Sequence, residues 1–187
     1  MKKIVLFGDS VIAGSWHGEV SDILDQAILK ALSAVNLFDF RIVNLGKPGD
    51  STTTALERIQ EAVAEEADVI VLNVGINDAI NIRDNMDTYG QNLETMMMQF
   101  PQHKVIVVGP SYVDDSIKTQ AQQDIIQAYS QHLEDICRNN GIEFVNIYDI
   151  EMQAKDPNVY VQEDGLHPSK EGYTLLAQSI VATMVRS

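Results

Sequence analysis

Apolar residues along the chain alternate between two spacings. Short β-branched runs recur at Lys3–Phe7, Phe40–Asn44, Asp68–Asn73, Lys104–Val108 and Glu143–Ile147. They are nearly continuous in apolar character, as strands covered on both faces of a parallel sheet are. Between them the spacing changes to the helical period. Ile23, Leu24, Ala27, Ile28, Ala31, Leu32 and Val35 form one stripe, and Ala55, Leu56, Ile59, Ala62 and Val63 a second. Tyr89, Leu93, Met96, Met97 and Phe100 form a third, Ile125 through Cys137 a fourth, and Tyr173 through Met184 a closing one. Five strands alternating with helices predict right-handed βαβ crossovers. The expected fold is a flavodoxin-like three-layer α/β/α sandwich around a five-stranded parallel sheet of order 2-1-3-4-5.

No internal repeat, low-complexity segment or Pro/Gly/Ser linker divides the sequence, so the 187 residues are expected to form a single domain, 1–187. Hydrophobic residues make up 45% of the chain, enough for a core that needs neither disulfides nor a structural metal. The lone cysteine, Cys137, completes an apolar helical stripe and reads as an inert thiol; a reducing, cytoplasmic location is expected. Lys2 and Lys3 ahead of an apolar run resemble the start of a signal peptide, but the run stops at Gly8-Asp9-Ser10, and no stretch approaches a bilayer span. Thirteen Lys and Arg against 27 Asp and Glu leave a net charge of -14. That field excludes nucleic acid as a partner and disfavours polyanionic substrates such as coenzyme A esters.

In an open parallel sheet, ligands bind beyond the carboxyl ends of the strands. There the sequence places Gly8-Asp9-Ser10 after the first strand, Gly46 to Ser51 after the second and Val74-Gly75-Ile76-Asn77-Asp78 after the third. Asp164-Gly165-Leu166-His167-Pro168 follows the fifth, and Ser169 is placed to cap the last helix. These residues supply the parts of an acyl-transfer site. Ser10 is the candidate nucleophile, a weak one until a base takes its proton. His167 is the candidate base, and Asp164, three residues earlier, can bond the other imidazole nitrogen. The backbone N–H groups of Ser10 and Gly49 and the side-chain amide of Asn77, read as lying in a turn, are candidate oxyanion donors.

These blocks resemble the SGNH hydrolases, also called GDSL lipases and esterases, in order and position over nearly the whole chain. Gly8-Asp9-Ser10 matches the nucleophile block, Asn44-Leu45-Gly46 through Ser51 the glycine block, Gly75-Ile76-Asn77-Asp78 the asparagine block and Asp164 to Pro168 the last. Val11 stands where the family name has leucine. The resemblance implies a Ser10, His167, Asp164 triad, an oxyanion hole of Ser10, Gly49 and Asn77, and no metal or other cofactor. Gly-Asp-Ser occurs by chance in a few per cent of chains this long and Asp-x-x-His-Pro in roughly 1%, so their ordered combination carries the weight.

The expected function is a serine esterase for small neutral carboxylic esters, because little chain remains for a lid or acyl tunnel. Lysophospholipase, thioesterase and acyltransferase are alternatives within the family. A non-catalytic flavodoxin-like binding module is a further one, disfavoured because the chain has no Gly-x-Gly-x-x-Gly or Walker sequence. Asp9 and Asp78 read as hydrogen-bonding turn residues outside the catalytic set. His17, His103 and His132 read as surface or packing residues, Met96–Met98 as core filler and Asp114-Asp115 as a solvated loop. Substrate choice is assigned to the loops 81–87 and 110–118; oligomeric state is left open.

Overall fold

In the computed structural model, which describes residues 1–81 and 84–186, all five strands join one parallel sheet. They are β1 (Lys2–Gly8), β2 (Phe40–Gly46), β3 (Val69–Asn73), β4 (Val105–Val108) and β5 (Glu143–Val145), in the order β2-β1-β3-β4-β5. The register sets Gly8 beside both Gly46 and Asn73, so the ends of β2, β1 and β3 lie level. That common rim is where the chemical residues of the sequence collect. Gly8 suits this crowding, since a methyl there would overlap the Asn73 carbonyl.

The continuous apolar runs are explained by burial on both faces. Along β1, Val5 and Phe7 enter one cluster while Ile4 and Leu6 enter the other. β3 and β4 divide in the same way, with Ile70, Leu72, Val105 and Val107 on the first face and Val71, Ile106 and Val108 on the second. The second face is covered by α1 (Ile23–Ala34) and α8 (Lys170–Met184) through Leu24, Ile28, Tyr173 and Ile180. The first is covered by α2 (Thr52–Glu57), α3 (Ile59–Ala64), α5 (Met86–Met97) and α6 (Gln123–Asn139). Ser169 caps α8, its hydroxyl accepting from the Gly172 N–H at 3.1 Å. No helix is long and apolar enough to cross a membrane among the described residues.

Several boundaries differ from the expected ones, each for a local reason. The fifth strand stops at Val145 rather than Ile147, because Asn146 accepts from the Asp149 N–H at 3.1 Å and starts α7 (Ile147–Met152). The second stripe breaks into α2 and α3 at Arg58, whose side chain turns toward the strand ends. Asn77 lies in α4 (Ile76–Asn81), not in a turn. Met96 and Met97 are core residues, whereas Met98 is exposed. Asp114 is buried rather than solvated, and its N–H donates to the Gly165 carbonyl at 2.8 Å. Ile82 and Arg83 of the substrate loop 81–87 lie outside the described residues.

Candidate active site

The chain leaves β1 through a tight turn stabilised by Asp9, whose carboxylate accepts from the Val11 N–H at 2.9 Å. Asp9 is 1% exposed, and burial pushes its carboxyl up to about 7, against the lowering effect of bonds from the Val11 and Gly75 backbones. Its role is that of a turn residue. The turn presents Ser10, with its Oγ 2.9 Å from His167 Nε2. His167 Nδ1 lies 2.5 Å from Asp164 Oδ2. The other oxygen of Asp164 accepts from the N–H groups of Leu166 and His167 at 2.9 and 3.0 Å, so one carboxylate shapes the loop and orients the ring. Burial alone would raise the Asp164 carboxyl, but the His167 ring and these two N–H groups hold it below the ordinary carboxylate range. The structure thus brings together Ser10, His167 and Asp164, which are 157 and 3 residues apart in sequence. His17, His103 and His132 make no bond to Ser10 among the described residues.

Gly49 and Asn77 face the same cleft as Ser10. Gly49 has φ +86°, and a methyl there would meet nothing within 4 Å, so conformation rather than space requires the glycine. The Asn77 side-chain amide donates to the Asp50 carbonyl at 2.9 Å, which fixes the start of α4 against the loop before α2. Only one of its two N–H groups is needed for that bond. The next residue, Asp78, is fully buried and accepts from the Thr52 N–H at 3.0 Å and the Thr52 hydroxyl at 2.7 Å. Burial, together with the neighbouring Asp84 carboxyl, pushes Asp78 up to about 7 against the lowering bonds from Thr52.

Arg58 was not singled out from the sequence, yet it ties this side together. Its guanidinium donates to Asp50 Oδ2 at 2.6 Å, to the Leu45 carbonyl at 2.9 Å and to the Gly8 carbonyl at 2.8 Å. It also covers the Phe7 ring at 4.2 Å. The sequence signal was a cation on an otherwise apolar helical stripe. Glu151 was also missed. It accepts from the Tyr112 N–H at 2.6 Å under the loop 110–118, and burial pushes it up to about 8.

The cleft has a volume of about 330 Å³ and is lined by Ser10, Gly18, Val20, Gly49, Asn77 and His167, among others. A more apolar groove of about 410 Å³, between α1 and α8, is lined by residues such as Ala31 and Val181 and by none of the candidate site residues. No group of three or more His, Cys, Asp or Glu positioned to hold a metal occurs among the described residues. Burial pushes the Cys137 thiol up to about 12, so it is no nucleophile at neutral pH.

A sheet of this order with these blocks on its rim defines a class of ester-hydrolysing enzymes. The GDSL-like Lipase/Acylhydrolase family matches residues 6–175, and the chain belongs to it. Among solved structures, a lipase/acylhydrolase from Enterococcus faecalis is 33% identical, with a TM-score of 0.92 over 97% of this chain and 94% of that one. An acetylxylan esterase from Geobacillus stearothermophilus shares the fold at a TM-score of 0.78 and 19% identity, over 98% of this chain and 94% of that one. An isoamyl acetate-hydrolyzing esterase of Schizosaccharomyces pombe is 30% identical over 105 residues, 54% of this chain. That match covers 42% of the yeast protein's length.

Proposed function

We propose that the chain, as one domain of residues 1–187, is a serine esterase acting on small neutral carboxylic esters. The observation that carries this reading is the continuous hydrogen-bonded line from Ser10 Oγ through the His167 ring to Asp164, at 2.9 and 2.5 Å. Ser10 Oγ attacks the ester carbonyl as His167 Nε2 takes its proton. Asp164 keeps the ring in the tautomer that leaves Nε2 able to accept, and stabilises the imidazolium that forms. The oxyanion is received by the backbone N–H groups of Ser10 and Gly49 and by the second N–H of the Asn77 amide. His167 returns the proton to the departing alcohol, leaving Ser10 acylated. Water, deprotonated by the same imidazole, then releases the acid and restores the hydroxyl.

Two features favour small, uncharged esters. The cleft of about 330 Å³ is modest, and Val20, 63% exposed, stands at its edge. The net charge of -14 opposes polyanionic substrates.

The test is hydrolysis of p-nitrophenyl acetate, butyrate, octanoate and palmitate by wild type and Ser10→Ala, with circular dichroism to verify both folds. The reading requires activity that disappears in the variant and declines from the short to the long esters. Equal activity in the two proteins rules out Ser10 as nucleophile, and a palmitate optimum rules out the short-acyl preference.

A further inference from the structure

Beside the catalytic loop, the chain after Ser15 makes a small excursion over the cleft. Trp16 and Glu19 exchange backbone hydrogen bonds at 2.8 and 3.1 Å, closing a hairpin whose tip is His17-Gly18. His17 sits at φ +49°, in the left-handed region that few residues other than glycine occupy. Gly18 and Val20 line the cleft.

The Gln162 side chain fastens this hairpin to the loop carrying His167. The Gln162 amide donates both protons, to the Ser15 and Pro168 carbonyls, each at 2.8 Å. Its oxygen accepts from the His17 N–H at 3.0 Å. Every hydrogen-bonding proton of that amide is therefore committed. Its backbone N–H also donates to the His167 carbonyl at 2.8 Å, and the Tyr173 hydroxyl supports Ser15 from below at 3.1 Å. Hairpin and base are thus held as one unit, although 145 residues separate His17 from Gln162.

In ester cleavage the leaving oxygen must come within hydrogen-bond reach of His167 Nε2, because it takes its proton from there. The alcohol portion therefore projects over the His167 side of the cleft, the side on which Gln162 anchors the hairpin. The carbonyl oxygen points instead toward Gly49 and Asn77. We propose that the hairpin Trp16–Glu19 with Val20 is the wall of the subsite for the leaving alcohol, and that Gln162 is the positioning residue that sets its distance from His167. This rests on the esterase reading and adds to it which half of the substrate this wall selects.

The experiment holds the acyl group constant. Ethyl, butyl and benzyl acetate all form the same acetyl-enzyme, so differences in kcat/KM among them report the alcohol in the acylation step alone. Val20→Trp narrows the wall, lowering the benzyl-to-ethyl ratio of kcat/KM about tenfold. Gln162→Ala frees the wall, and the benzyl-to-ethyl ratio rises about fivefold. Gln162→Glu shifts the ratio the same way, because its carboxylate keeps the His17 bond but opposes the Ser15 and Pro168 carbonyls. A merely structural Gln162 would lower all three esters by one factor, and that result overturns the assignment. So does a change confined to an ethyl acetate, butyrate and hexanoate series, which would place the wall against the acyl group. Should Gln162→Ala fail to fold, Val20→Trp decides the matter, since Val20 is a surface residue. Wild type lacking any Ser10-dependent ester hydrolysis would remove the esterase reading itself, an outcome distinct from unchanged alcohol ratios in an active enzyme.

Discussion

The two sides of the cleft are built on opposite physical terms. On the His167 side, the side chains of His167 and Asp164 are 22% and 41% exposed. Short hydrogen bonds within the loop 161–168 hold them. On the Asn77 side, Asp50 is 4% exposed, Asn77 9%, and Thr52 and Asp78 are fully buried. There an interlocked set of buried charges and amides does the holding. The difference matches the work proposed for each side. A group that exchanges protons with alcohol and water needs solvent nearby. Donors that receive a developing negative charge act most strongly where water is excluded and their orientation is already fixed. The buried side carries a cost of its own, visible in Asp9 and Asp78, whose carboxyls are driven up to about 7.

The exposed side is broken most severely by His167→Ala. Loss of the base lowers kcat on p-nitrophenyl acetate by about 10⁴-fold without loss of fold. Ser10→Ala has a comparable effect, and the double variant is no worse than either alone, because the two groups act as a unit. Multiplying losses in the double variant would mean that they work independently. The buried side answers differently. Asn77→Ala lowers kcat by about 10²- to 10³-fold and leaves KM within about twofold, since the oxyanion exists only after binding. An effect on KM alone would place Asn77 in ground-state recognition.

The same contrast decides what could be read from the amino-acid sequence. The exposed side is written locally. Asp164 and His167 share one short block, and the loop geometry that joins them is a single Asx turn. The strands were legible as well, because burial on both faces leaves nearly continuous apolar runs such as Ile4–Phe7, and their order followed from the flavodoxin-like arrangement expected of alternating strands and helices. The buried side depends on contacts between segments distant in sequence, and there the reading fell short. Arg58 meets Gly8 across 50 residues, and Thr52 meets Asp78 across 26. Neither pairing leaves a periodic trace. The short helices α4 and α7 were missed for another reason: six residues are too few to establish a period. Asp114 was misread because two adjacent aspartates look solvated, whereas its carboxylate turns back to accept from the Ser116 N–H at 3.0 Å.

Arg58→Leu tests how far the buried side depends on its central cation. The substitution leaves Asp50 without its guanidinium and withdraws donors from the Gly8 and Leu45 carbonyls. A loss of about 3 kcal/mol in unfolding free energy, read from the urea midpoint, is the expected result. Arg58→Lys recovers only part of it, because an ammonium cannot span three acceptors in the guanidinium's fixed fork. Full recovery by lysine would show that charge alone, not the fork, holds the strand ends together.

The smallest effect concerns the cost of burying Asp78. Its carboxyl titrates near 3.8 in an unfolded chain and is pushed up to about 7 in the fold. Between those values the unfolded chain has released the proton while the native protein still holds it. Stability therefore falls as pH rises from about 4 to 7 and levels off above. Asp78→Asn imitates the protonated acid: its oxygen accepts from Thr52 and its amide donates toward Asp84. The variant is expected to match wild type near pH 4 and to exceed it at pH 8 in urea titrations, by a margin that opens between those values. Asp9 and Glu151, also raised, preserve part of the slope in both proteins. Parallel stability curves for the two proteins would show that Asp78 is ionised throughout. The Thr52 bonds would then outweigh its burial, and the oxyanion side would be built around a stable negative charge.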